Sequence, residues 1–201
     1  MQYLNAAEYV LFGLGEETGD DLVIAASSMI DAFCRRPSLA ITQYVERLRV
    51  SRARQEIQLS NLPLASGAAA IVQVRVRLGR HDAAWGNPLV QEALTFAPMG
   101  SWIAVDMSTL DVSPAGSIRF TPHLLGVPFD EAEVTYTAGY AVIPVPVKVA
   151  CAQIVRNAQA MPALNVKRQA LDSMAMEYFS GSLLDADVQR LLAPFVAERM
   201  G

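Results

Sequence analysis

Between Glu133 and Gln159 the hydrophobic period of the chain changes from two to 3.6, across one glycine and two prolines. The first part, "EVTYTAGY", alternates as a strand does. Gly139 can take a backbone angle that other residues avoid. Pro144 and Pro146 suit the first turn of a helix and stop the strand from continuing. Val147, Cys151, Ile154 and Ala158 then recur on one helical stripe, with a stop at Pro162. A chain written this way must hand a sheet over to a helix at that point.

The same test, applied along the chain, finds helical period at both ends. "DDLVIAASSMIDAFCRR", Asp20 to Arg36, puts Leu22, Ala26, Met29, Ile30 and Phe33 on one stripe, and Pro37 follows. Thr18 with Asp21 reads as its cap, and acids at the start and arginines at the end suit the helix dipole. "YLNAAEYVLFGL" reads as a short first helix ended by Gly13 or Gly15. After the helix opened by Pro144, a second is predicted from Asn165 to Gly181, burying Leu171, Met174, Ala175 and Tyr178. A third starts near Asp185 and is disturbed at Pro194.

Between these ends the period is that of strands. Tyr44, Leu48 and Val50 alternate with Gln43, Arg47 and Arg49; Val74, Val76 and Leu78 alternate with Gln73, Arg75 and Arg77. "LVQEALTF", "SWIAVDM" and "GSIRFTP" are further strand candidates separated by turn residues. Short spacing favours an antiparallel sheet over βαβ units. The expected fold class is therefore α+β, a helical bundle formed by the N- and C-terminal segments with an inserted antiparallel β domain. Its parts are residues 1–37, the β-rich insertion 38–140 and the C-terminal helical part 141–201.

With 201 residues, 52% of them apolar and 18% charged, the chain can bury a substantial core, roughly 70% of its unfolded surface. That composition excludes intrinsic disorder. Apolar runs are broken well short of the ~20 residues that cross a bilayer, and no signal region follows Met1, so a soluble, unsecreted protein is expected. Cys34 and Cys151 are too few for a disulfide framework and read as buried free thiols.

Charge is distributed unevenly. Residues 1–34 carry six acids and no bases, residues 35–80 carry nine arginines against Glu46 and Glu56, and residues 81–201 carry seven bases against twelve acids. Acidic and basic patches on one chain can join copies of it head to tail. The candidate subunit interface sets Glu16, Glu17, Asp20 and Asp21 of one subunit against Arg47, Arg49, Arg75 and Arg77 of the next. The rival is a phosphate-backbone track, because repeated cations gain from counterion release, but no aromatic interleaving is read beside them. A third class, an uncharacterised hydrolase, would need a pocket with a perturbed His or Cys. No catalytic, metal or cofactor-binding residue is assigned. "GLGEETG" fails as a phosphate loop on spacing and on its acids, and His81 and His123 sit in different predicted loops.

Three places together carry a resemblance: "GDDLVIAASSMIDAFCRRP", "EVTYTAGYAVIPVPVKVACAQIV", and the ending "LLAPFVAERM". In them the chain resembles the head-tail connector, or adaptor, proteins of long-tailed bacteriophages, in the longer version with a β insertion. The resemblance covers both ends well and the middle only as generic β pattern. It implies a structural protein and not an enzyme: a ring, commonly twelvefold, beneath the portal of the capsid. Such a ring continues the channel through which DNA passes, without sequence-specific binding, and docks the next neck or tail protein. The implied location is the virion, with assembly in the host cytoplasm. Val188, Leu191, Leu192 and Phe195 form an apolar face before the chain end and are the candidate portal-docking residues.

Overall fold

The computed structural model describes residues 2–51, 53–65, 67–78, 101–121, 129–160, 168–171, 174–177 and 183–197. The strand candidate "LVQEALTF", both histidines, Arg52, Arg80, Pro162, Asn165, Tyr178 and Gly181 lie outside them. The chain divides into two compact units, one of Met1–Leu39 with Val142–Ala197, the other Ala40–Ala141.

The second unit is built on a four-stranded antiparallel sheet. Its strands are β1 (Thr42–Arg49), β3 (Ile71–Leu78), β4 (Ile103–Ala104) and β7 (Phe129–Ala138), in the order β1-β7-β3-β4. A smaller sheet joins β2 (Glu56–Gln58), β6 (Ser117–Arg119) and β5 (Asp111–Val112). Alternation decides the faces, because neighbouring side chains on a strand point to opposite sides. Tyr44, Val74, Val76, Ala132, Val134 and Tyr136 are buried in one cluster that also holds Ile57 and Ile118 of the smaller sheet. Tyr44 and Tyr136 stack at 5.6 Å between ring centroids.

One carboxylate shares the inward face. Glu46 accepts hydrogen bonds from Tyr136 Oη at 2.7 Å, Asn61 Nδ2 at 2.5 Å and Ser60 N at 3.1 Å. Its partners replace water, as a half-buried carboxylate requires. Burial, with the bond to Glu46, pushes the Tyr136 phenol well above the usual tyrosine range.

β7 ends at Gly139, whose φ of 126° suits glycine alone; a Cβ there would collide with the backbone of Ala40 and Ile41. The chain then enters the first unit's helices. These are α1 (Asp20–Phe33), α2 (Val145–Ala160) and α3 (Ala186–Leu192). As expected of Pro144 and Pro146, the carbonyl of Pro144 accepts from Val147 N and Lys148 N in the first turn of α2. Val23, Ala26 and Ile30 of α1 share a core with Val147, Cys151 and Ile154 of α2 and Val188 and Leu192 of α3.

Several local expectations are corrected. The cap of α1 is Gly19, while Thr18 is buried and accepts from Gln159 Nε2. Its buried stripe runs through Val23 and Ser27; Leu22 is 37% exposed, and Met29 and Phe33 are only partly buried. Ser27 fits inside because its hydroxyl donates to Val23 O at 2.7 Å. The first helix is instead two 3-10 turns, Ala6–Glu8 and Val10–Phe12, ended by Gly13 at φ 73°.

The fold class is corrected as well. The described residues form a mixed α/β fold of three α-helices and antiparallel sheets of four, three and two strands, and not a helical bundle with an inserted β domain. The cause lies largely in one segment. Where a helix was expected from Asn165 to Gly181, β8 (Arg168–Leu171) pairs antiparallel with β9 (Met174–Glu177). Asp172 and Ser173 between them are weak helix formers and good turn formers. α3 spans only seven residues, because Pro194 diverts the chain into the 3-10 turn Ala193–Phe195.

Candidate interaction surface on the outer sheet face

The outward side of the four-stranded sheet carries a ladder of charge. In register, Glu131 of β7 stands between Arg49 of β1 and Arg77 of β3, and Glu133 stands between Arg47 and Arg75. Arg47 reaches diagonally to Glu131, donating from Nε at 2.7 Å, while Arg77 pairs with the other oxygen of Glu131 at 2.8 Å. Arg75 pairs with Glu133. The hydrogen bond from Arg77, then that from Arg47, holds the Glu131 carboxyl below the usual carboxylate range.

Trp102, just ahead of β4, completes the surface. The guanidinium carbons of Arg47 and Arg77 lie 5.2 and 5.4 Å from the centre of a Trp102 ring, within cation–π range. Among the described residues, four arginines of β1 and β3 thus stand beside Glu131 and Glu133. Arg49 has no ion pair among the described residues. Exposed apolar side chains sit on the same face, Val45 at 65% and Val72 at 57%.

The arginines foreseen as a subunit interface are therefore gathered on one face, but Arg47, Arg75 and Arg77 already pair with carboxylates of their own chain. Glu131, Glu133 and Trp102 were missed. The alternation in "DEAEVTYT" contained the two glutamates' outward phase, yet nothing in it named β1 and β3 as neighbours of β7. The expectation of no aromatic beside the arginines is corrected by Trp102, which comes from a separate segment.

The foreseen acids lie in the other unit. Glu16, Glu17, Asp20 and Asp21 are exposed. Asp20 accepts from Tyr9 Oη at 2.6 Å and Gln2 Nε2 at 3.1 Å, and burial with that carboxylate pushes the Tyr9 phenol up to about 12. Glu16, Glu17 and Asp21 have no ion pair among the described residues.

The C-terminal apolar face is not free. Val188 and Leu192 are fully buried in the first unit's core, and Leu191 and Phe195 pack partly buried against it. Asp185 caps α3 by accepting from Val188 N at 2.8 Å, and Ala197 N donates to Cys34 O at 2.9 Å. Of the four residues foreseen for docking, Val188 and Leu192 thus face their own chain's core, which offers the helix its apolar partner.

Burial pushes the thiols of Cys34 and Cys151 up to about 11, opposite to the shift that activates a nucleophile. A pocket of about 300 Å³ in the second unit is lined by Val76, Ile103, Phe120 and Phe129, with Thr109 and Thr121 as polar members. Among the described residues no cluster of three or more His, Cys, Asp or Glu is placed to hold a metal ion, and no helix is long and apolar enough to cross a membrane. Compared with known proteins, the chain matches no family model and no curated protein.

Proposed function

We propose that the protein is a structural head-tail connector of a tailed phage or prophage, acting in the virion after assembly in the host cytoplasm. It forms a ring beneath the portal, continues the DNA channel and docks the next neck or tail protein. One observation carries the reading. The three segments behind the sequence resemblance supply α1, most of α2 and the last turn of α3 with the 3-10 turn after it, and Ile30, Cys151 and Leu192 from them share one core. Segments far apart in sequence would have to vary together to keep that core, so their joint occurrence is less easily a coincidence of composition. The role needs surfaces and a channel, not a reacting group.

The test is assembly on a portal. Purified protein mixed with the portal protein of the same genome is expected to give a ring seated on the portal in electron micrographs. Protein that stays unbound at every concentration tried overturns the reading.

Trp102 supports a second reading, a nucleic-acid-binding module, since arginines beside an aromatic ring are what single-strand binders use. That reading predicts salt-sensitive DNA or RNA binding by the isolated protein. Pairing of Arg47, Arg75 and Arg77 with Glu131 and Glu133 weighs against it, because it removes much of the positive field a phosphate chain would meet.

A further inference from the structure

We infer that the outer face of the four-stranded sheet docks the acidic segment around Glu16, Glu17 and Asp21 of a second copy of this chain. The inference deepens the proposed ring role and rests on it. Complementary charge names the occupant. Among the described residues the sheet face sets four arginines beside Glu131 and Glu133, and Arg49 is left without an ion pair among them. Glu16, Glu17 and Asp21 are the reverse case, exposed carboxylates without an ion pair. Each patch carries apolar surface too: Val45 and Val72 beside the arginines, Leu22 and Ile24, 37% and 44% exposed, beside the acids.

The geometry also preorganises the receptor. Glu131 holds two guanidiniums in place and Trp102 lies against both, so the forks lose little freedom when a carboxylate arrives. Because the two patches differ, the contact is head to tail, the kind that propagates and closes into a ring when the rotation permits.

Charge reversal and its compensation test this. The full chain is compared with R47E/R49E, with E16K/E17K and with the chain carrying all four changes, by light scattering and mass photometry, alone and on the portal. Single surface pairs are weak, so two changes are made at a time. Each double variant is expected to self-associate at least about tenfold more weakly at low salt, and the fourfold variant to recover most of the loss. Wild-type association should also weaken as salt rises, a readout that needs no variant to fold. If the wild type forms rings while both double variants assemble equally well, or if association ignores salt, the docking inference is overturned and the ring role stands. If the wild type forms no ring even on the portal, the ring role itself fails. Tight DNA binding by the wild type, lost in R47E/R49E without any self-association, overturns the inference in favour of a nucleic-acid partner.

Discussion

Two carboxylates on neighbouring strands, Glu46 on β1 and Glu131 on β7, have opposite surroundings. Glu46 points inward and is satisfied by a phenol, an amide and a backbone N–H. Glu131 points outward and is satisfied by two guanidiniums in contact with solvent. Both sit in the same antiparallel pair, one on each side of the sheet. The inner site trades water for fixed neutral donors, so its worth lies in what happens when one donor is lost. The outer site adds charge to charge in water, where each pair contributes little and the pattern matters for recognition.

The largest expected effects lie in the helical core, where buried and exposed faces of α1 differ. Ile30→Ala, in the core shared by α1, α2 and α3, should cost ~2–5 kcal/mol in denaturant titration by leaving a cavity. Leu22→Ala, one turn face away, should cost less than ~1 kcal/mol. Equal losses would mean that the buried stripe is phased as the sequence first suggested.

Gly139→Ala comes next. The new methyl meets backbone and the φ of 126° is unfavourable, so a loss of roughly 1–3 kcal/mol is expected, read as a lowered denaturation midpoint. A neutral result would show that the strand-to-helix junction relaxes freely.

Tyr136→Phe probes the inner carboxylate. It removes the Glu46 donor and the acceptor of Asn61 N, and should destabilise by ~1–3 kcal/mol. Glu131→Gln probes the outer one and should cost below ~1 kcal/mol, diminishing further with salt. Its pH signature has a definite sign. The folded-state pKa of Glu131 is depressed, so its contribution is present above the unfolded pKa and lost as pH falls through the folded one. The acid side of the stability profile should therefore be shallower in Glu131→Gln than in wild type. If Glu131→Gln costs more than Tyr136→Phe, the contrast between inner and outer site is wrong.

Local chemistry by itself determined much of this protein. Gly139 with Pro144 and Pro146 marked the end of β7 and the start of α2, since no neighbour is needed to forbid a strand its proline. Alternation put the arginines of β1 and β3 on the side opposite Tyr44 and Val74, because two residues per repeat leave no third choice. Asp185 and Pro194 bounded α3. Tertiary structure decided the rest. Short apolar stretches such as "RQALDSMAME" satisfy helix and strand alike, and pairing across β8 and β9 chose the strand. The phase of α1 moved by one residue because Ser27 can be buried once its hydroxyl bonds back to Val23. Glu131, Glu133 and Trp102 joined the arginine face only through strand order. Pairing between segments tens of residues apart is an interaction energy, which no single segment contains.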